Sequence, residues 1–380
     1  MRADPRALRA PLIRWYRKHR RDLPWRRTTD PYAIWVSEAM LQQTTVAAVI
    51  PYWTRFLARF PNVAALAAAT EEEVLALWTG LGYYSRARAL REGAIEVLKR
   101  YRGLVPADRE ALLALPGVGP YTAGAIASVA FGRPEPVVDG NVKRVFSRLF
   151  AMRGTGASHE RKHWRIARAL VEGPSPGDLN QSLMELGATV CTPRSPSCPR
   201  CPVAKACRAR ELGRQESFPP AAIRKPVQDV RVAVAWIVRS GRILLERRHP
   251  ESPLRGTWDL PATLVRNKDA GQALSHALRS RERLEASPGE PIATVRHTIL
   301  ATRLTIEIIP MRLKGLTPRT ASLRWIEPGE IERIATSAAT TKAVQAASSR
   351  SSSGSRGRVK RYDFPSIKGT APKAQSSPAQ

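Results

Sequence analysis

Two hydrophobic periods divide the chain. Up to about residue 213, apolar positions recur every three to four residues, the spacing of helices that hide one face. Residues 70–77 set Val74, Leu75 and Leu77 behind Glu71, Glu72 and Glu73, and residues 163–171 repeat the pattern with almost no strand alternation. Helix starts are marked chemically. Asp30-Pro31 supplies a cap and a first-turn proline for a helix expected over residues 32–46. Thr70-Glu-Glu-Glu73 reads as a capping box, and Pro106-Ala-Asp108 opens another helix. Residues 214–228, with Phe218-Pro-Pro220 and Lys225-Pro226, read as a linker.

Beyond the linker the period falls to two. Residues 230–239 and 242–246 read as strands paired around Ser240-Gly241, residues 302–310 alternate likewise, and residues 270–284 can form a helix. An α+β domain is therefore expected over residues 229–334. Residues 335–380 are expected as a disordered, low-complexity basic tail, rich in serine, glycine and arginine from Ser348. No apolar run reaches membrane-spanning length, and residues 232–238, among the longest, read as a buried strand. The arginine-rich N-terminus lacks the apolar stretch of a signal peptide, so no membrane association and a cytoplasmic location are expected.

Charge points to the partner. Across 380 residues, 62 lysines and arginines face 32 acids, a formal net charge of +30 that attracts polyanions, nucleic acid first. The arginine and alanine bias also fits a GC-rich genome, so charge alone decides little.

Cysteine says more. All 4 cysteines fall within residues 191–207, as Cys191, Cys198, Cys201 and Cys207. Four-cysteine sites commonly hold zinc, but zinc ribbons present paired Cys-x2-Cys knuckles, and here Cys198 and Cys201 alone have that spacing. The longer arms suit a [4Fe–4S] cluster better, with zinc as the competitor. Disulfides have no secretion signal to accompany them.

Leu115-Pro-Gly-Val-Gly-Pro-Tyr-Thr-Ala-Gly124 is a candidate hairpin between helices, with Gly117, Val118 and Gly119 presenting backbone N–H groups to a phosphate. Alone, it could equally be an ordinary elbow. Asp139 can cap the helix from Asn141, or stabilise positive charge developing on a sugar. Glu38 shares a face with Ile34, Leu41 and Thr45. An acid on an apolar face is either hydrogen-bonded to backbone or kept protonated as a general acid.

Several blocks together resemble the MutY family of adenine DNA glycosylases within the helix-hairpin-helix superfamily. They are Leu23-Pro-Trp-Arg26, Trp35-Val-Ser-Glu-Ala-Met-Leu-Gln-Gln-Thr44, Leu77-Trp-Thr-Gly-Leu-Gly-Tyr-Tyr-Ser-Arg86, the Pro116–Gly124 run, Asp139-Gly-Asn-Val-Lys-Arg144 and the cysteine loop. The resemblance implies a six-helix module over about 29–132. A cluster-bearing module over about 1–28 and 133–213 would complete a catalytic region ending at 213. Its cluster would be [4Fe–4S], settling the cysteine question against zinc. The implied substrate is duplex DNA holding adenine opposite 8-oxoguanine or guanine. Glu38 would protonate the base and Asp139 would stabilise the sugar cation, with Asn141 and Tyr121 orienting the site. Trp25 and Arg26 would line the adenine pocket, Gln43 and Tyr83 would fill or wedge the stack, and Lys143 would meet phosphate. Endonuclease III-type relatives carry a lysine where Tyr121 stands, so the resemblance implies a monofunctional enzyme. A bacterial monomer follows by analogy. A sister base specificity, or a non-catalytic cluster-bearing DNA-binding protein, is the alternative.

Residues 229–334 resemble the Nudix-like domain of the same family through Ile243-Leu-Leu-Glu-Arg-Arg248, Gly256-Thr-Trp-Asp-Leu-Pro261 and Arg296-His-Thr298. Glu282, Glu285 and Glu290 lack the spacing a working Nudix hydrolase requires. The family's Phe-Ser-His loop, which senses 8-oxoguanine, reads Ile299-Leu300-Ala301 here.

Overall fold

Asp30 accepts hydrogen bonds from the Tyr32 and Ala33 N–H groups and Pro31 sets the first turn, so a helix starts where the sequence places it. This computed structural model describes residues 5–220, 226–266, 269–299, 301–315 and 320–351. The helix expected to reach residue 46 stops at Leu41. Its end is set by Arg86, whose guanidinium donates to the carbonyls of Ala39, Met40 and Gln42. Those carbonyls lack partners within the helix, and satisfying them from outside fixes its last turn. Gln43 then takes a left-handed φ of 58°, and a second helix, Val46–Arg59, departs in a new direction. Thr45 therefore leaves the face that carries Glu38.

The region expected as a six-helix module holds seven helical segments among the described residues: Pro31–Leu41, Val46–Arg59, Val63–Ala68, Glu71–Trp78, Ser85–Tyr101, Arg109–Leu113 and Pro120–Phe131. The Thr70 capping box forms as read. These helices enclose a core of Trp35, Met40, Phe56, Trp78, Leu90 and Ile126. Leu23 and Trp25 join this core, although they precede the expected module boundary.

A second core gathers Leu12, Val142, Phe146, Leu170, Leu179 and Leu183. Its helices are Arg9–His19, Gly140–Leu149, Ala157–Val171 and Pro176–Thr189. The N-terminal helix thus packs with the last helices before the cysteine loop. A cleft is left where the two cores meet.

In the C-terminal region, Gln228–Trp236 lies parallel to Thr302–Leu313, which also pairs with Ala293–Ile299 and Ala286–Pro288. Val234 and Trp236 face one apolar cluster while Ala233 and Ala235 face another. Burial on both faces explains the unbroken apolar run in this strand. The hairpin around Ser240-Gly241 forms with both residues at positive φ, and Val238–Arg239 pairs with Arg242–Arg247 in a second sheet. The expected helix appears as Ala270–Glu282. Among the described residues no helix is long and apolar enough to cross a membrane.

The expected tail boundary at residue 335 is wrong. Residues 338–351 form the helix Ala338–Ser351, and Ala343, Val344 and Ala347 are buried against the sheet. Alanine is the strongest helix former, and its small side chain lets this helix sit close to the strands, so low bulk rather than low order gave the segment its composition. Residues 352–380 lie outside the described residues. Val344 is 1% exposed, so Val344→Asp is expected to cost about 3 kcal/mol or more, measured by urea unfolding. An unchanged midpoint would mean the helix is not part of the folded domain.

Candidate active site

Glu38 lies on Pro31–Leu41 at the floor of the cleft, 8% exposed, and one of its carboxylate oxygens has no hydrogen-bond partner. Burial pushes its pKa up to about 7, the nearby Asp139 carboxylate adds to this, and Tyr121 and Arg26 counteract it. Tyr121 comes from the first turn of Pro120–Phe131. Its hydroxyl lies 3.3 Å from the Met184 sulfur and also faces Glu38. Sulfur is a weak acceptor, so the carboxylate is its stronger partner. Burial and the Glu38 charge hold the phenol well above its ordinary pKa, so it stays a neutral donor.

Asp139 is placed differently. It caps Gly140–Leu149, accepting from the Val142 N–H at 2.7 Å and from Asn141 Nδ2 at 2.9 Å. Both acidic groups line one cavity of about 190 Å³ with Tyr121 and Asn141. The cap read from the sequence is present: one Asp139 oxygen accepts from the Val142 N–H at the helix start and the other is held by Asn141.

The rim of the cavity carries an arrangement that the sequence reading missed. Glu185, 0% exposed on Pro176–Thr189, receives both Arg21 Nε and Nη2 at 2.8 Å, and Arg26 Nη2 at 2.9 Å. Burial alone would raise its pKa, but hydrogen bonds from the two arginines outweigh that and hold it at about 2. Arg26 also lies over the Tyr16 ring at 5.3 Å, and Trp25 packs edge-on to Trp53. The signal was present: Glu185 is an acid in an apolar helix, as Glu38 is.

Gln43 and Tyr83 lie on exposed loops at positive φ, 58° and 50°. Arg86 joins them, donating to the Gln42 and Gly82 carbonyls while its guanidinium lies 5.3 Å from the Tyr83 ring. The hairpin places Gly117 at φ 73°, where an added Cβ would come within 2.6 Å of Ala89 Cβ, so both conformation and space require glycine. Val118 is buried, and its N–H donates to the Leu115 carbonyl at 3.2 Å, closing the turn. Gly119 caps Pro120–Phe131 without a side chain, so the first N–H groups of that helix stay open. Lys143, expected at phosphate, pairs instead with Glu160 at 2.7 Å. Both partners are partly exposed, so the pair contributes little stability.

The cysteines are half-buried free thiols. Burial pushes Cys201 up to about 11, and the neighbouring cysteines add to this. Buried Arg148 donates to Cys191 Sγ at 3.3 Å and to the Thr192 and Pro193 carbonyls, while the Phe218 carbonyl accepts from its Nε. Arg144 donates to the Cys191 carbonyl and to Asn141 Oδ1, which links the loop to Asp139 through hydrogen bonds. Among the described residues no three potential ligands converge closely enough to chelate a single ion. Cys201 nonetheless lies near enough to Cys191, Cys198 and Cys207 to feel their charge, so one loop gathers four thiols, the donor set of a [4Fe–4S] cluster.

Residues 36–169 match the HhH-GPD superfamily of base excision DNA repair proteins, and residues 233–346 match a NUDIX domain. The human adenine DNA glycosylase is 38% identical over 402 residues, covering 90% of this chain and 74% of the relative. The chain belongs to the adenine DNA glycosylases. The relative from Mycolicibacterium smegmatis is 43% identical over 218 residues, 57% of this chain and 73% of its own. A thermostable thymine-DNA glycosylase structure aligns with a TM-score of 0.50 at 33% identity, covering 55% of this chain and 97% of that one. The glycosylase fold and the Nudix-like domain read from sequence are thereby established.

In the Nudix-like domain of this glycosylase, Glu282 accepts from Ser322 Oγ. Ile299, 45% exposed, ends the strand Ala293–Ile299, the Ala301 carbonyl accepts from the Gln228 N–H, and Leu300 lies outside the described residues.

Glu38 also carries a stability signature. Its folded pKa, about 7, exceeds the ordinary 4.5. Below pH 4.5 the group is neutral in both states. As pH rises through the window to about 7, ionisation favours the unfolded chain, and stability falls. Glu38→Gln is expected to be about 3 kcal/mol more stable than the parent at pH 8, with the difference vanishing near pH 4, in chemical denaturation. A pH-independent difference would mean Glu38 is solvated.

Proposed function

We propose that this chain excises adenine from duplex DNA in which the base faces 8-oxoguanine or guanine, leaving an abasic site without cutting the strand. The observation that carries the reading is the pairing, in one cavity, of a desolvated Glu38 held at about pKa 7 with an Asp139 whose carboxylate oxygens both accept N–H hydrogen bonds. A buried acid held near neutrality beside a second, hydrogen-bonded carboxylate suits acid-assisted glycosidic cleavage.

The adenine must leave the stack, at a cost of a few kcal/mol. Tyr83 and Gln43 enter the gap, and the Gly117–Gly119 backbone with the open helix start at Pro120 holds a phosphate. Glu38 gives its proton to N7 of the base. The C1′–N9 electron pair departs with adenine, and Asp139 stabilises the oxocarbenium-like sugar. Water adds at C1′ and releases a proton. Tyr121 supplies no amine for a Schiff base, which supports base release without strand cleavage. Ile299 and Ala301 bring neither a hydroxyl nor an imidazole to the opposing base, which supports modest preference for 8-oxoguanine over guanine. Cys191, Cys198, Cys201 and Cys207 would hold a [4Fe–4S] cluster, which when bound ties the ends of their loop together.

Single-turnover assays on duplexes with adenine opposite 8-oxoguanine, guanine or thymine are expected to give strand breaks after hot alkali only. The rate should fall as pH rises above about 7, because the acid must carry its proton. Glu38→Gln and Asp139→Asn should each lose at least about 100-fold in base release while retaining duplex affinity. Activity retained in either variant would overturn this mechanism, and alkali-independent breaks would overturn monofunctionality. Purified protein is expected to carry about four iron atoms per chain with visible absorption, and Cys201→Ser should lose both. Stoichiometric zinc instead would overturn the cluster assignment.

A further inference from the structure

We propose that Tyr84 and Asp259 are positioning residues for Tyr83, so that the C-terminal domain sets where the wedge side chain enters the duplex. The inference rests on the role given to Tyr83 above.

Tyr83 is a non-glycine residue at φ 50°, 40% exposed, in the loop between Glu71–Trp78 and Ser85–Tyr101. A side chain held outward in that conformation needs support from its surroundings. Part of the support comes from within the catalytic region, where Trp78 Nε1 and Arg86 Nη2 donate to the Gly82 carbonyl at 3.2 and 3.0 Å. The rest comes from the other domain. Tyr84, the next residue, is buried, and its hydroxyl donates to the Thr336 carbonyl. At the start of the loop, the Thr79 hydroxyl accepts from the Thr336 N–H at 3.4 Å. Between these contacts, Ala335 is wholly buried and belongs to the catalytic core rather than to its own domain's. Of the adjacent tyrosines, Tyr83 is thus exposed while Tyr84 sits in the catalytic core with its hydroxyl reaching the C-terminal domain.

Asp259 is the residue that fixes this seat. It is fully buried, 0% exposed, inside the C-terminal domain. Its Oδ1 accepts from both the Ser337 N–H and the Ser337 hydroxyl. Its Oδ2 accepts from the Thr257 hydroxyl at 2.7 Å and Arg248 Nε at 3.1 Å. The preceding residue, Trp258, donates its N–H to the Ala335 carbonyl at 2.7 Å. Residues 335–337 therefore have their conformation set by a saturated carboxylate in one domain and deliver it to a loop of the other. Asp259 faces no part of the glycosidic cleft, and the proposed chemistry makes no use of it.

Tyr84→Phe in the full chain removes little volume and the hydroxyl that donates to Thr336 and also faces Gly80 and Thr79. With 2-aminopurine beside the target adenine opposite 8-oxoguanine, this variant is expected to show weaker unstacking fluorescence and base release slowed about fivefold, the worth of one hydrogen bond. Ser337→Ala, which loosens Asp259 without touching the catalytic region, should shift both readings the same way. Adding Tyr84→Phe to Tyr83→Ala should slow the enzyme no further, because a positioning residue has nothing left to position. Multiplying effects, or wild-type fluorescence in Tyr84→Phe and Ser337→Ala while Tyr83→Ala is impaired, would overturn the proposal and leave the wedge role standing. A rate that recovers fully at a lower temperature would mean lost folding instead, and would overturn it too. A wild-type Tyr83→Ala would remove the wedge role itself, and this inference with it.

Discussion

A carboxyl group kept out of water is the constraint that the rest of the molecule serves. Glu38 stays protonable near neutrality because burial keeps it from water and one oxygen has no partner. Hydrogen-bonding that oxygen to backbone N–H groups would restore an ordinary acid. The protein instead places a backbone N–H, from Val142, and the Asn141 side-chain amide on Asp139. Tyr121 sits between them as a neutral phenol, tempering the rise at Glu38 without supplying a charge.

Arginine holds much of this in place from inside. A net charge of +30 suggests a coating for DNA, yet several arginines are turned inward onto carbonyl oxygens. Arg86 stops a helix and joins the two exposed loops, Arg148 and Arg144 secure the cysteine loop, and Arg88 donates to the Arg255 and Pro253 carbonyls across the domain boundary. A planar fork of five donors can satisfy several carbonyls that no lysine could serve together. The guanidinium remains charged, so each such site also contributes positive potential beneath the surface that meets phosphate.

What could be read from the sequence follows from how local each signal is. Caps at Asp30, Thr70 and Asp139 and the turn at Ser240-Gly241 depend on neighbours within a few residues, and all formed as read. The early stop at Leu41 did not show, because its cause, Arg86, lies far along the chain. Parallel pairing of Gln228–Trp236 with Thr302–Leu313 is likewise non-local and left no mark beyond a continuous apolar run. The terminal helix was mistaken for a tail because alanines that pack closely on a sheet look, in composition, like a chain with nothing to bury. Glu185 was overlooked even though the rule that singled out Glu38 applies to it equally, since its arginine partners come from the other end of the catalytic region.

That last pairing explains how the cleft keeps its width. Glu38 and Tyr121 belong to helices of the first core, whereas Asp139 and Glu185 belong to the second. The separation of the two acidic groups therefore depends on contacts between the cores, where Asn180 Nδ2 donates to Ser128 Oγ and Tyr121 meets Met184. The strap Arg21–Arg26 crosses between them, its Leu23 and Trp25 sunk in the first core and its two arginines closed on Glu185 in the second. A buried ion pair contributes little net stability compared with apolar packing, because desolvation offsets the attraction. It does impose a geometry, since a planar guanidinium and a carboxylate meet well in few orientations. The strap is therefore better understood as a gauge than as a brace: together with the helix contacts between the cores, it helps to fix how Glu38 on one side faces Asp139 on the other.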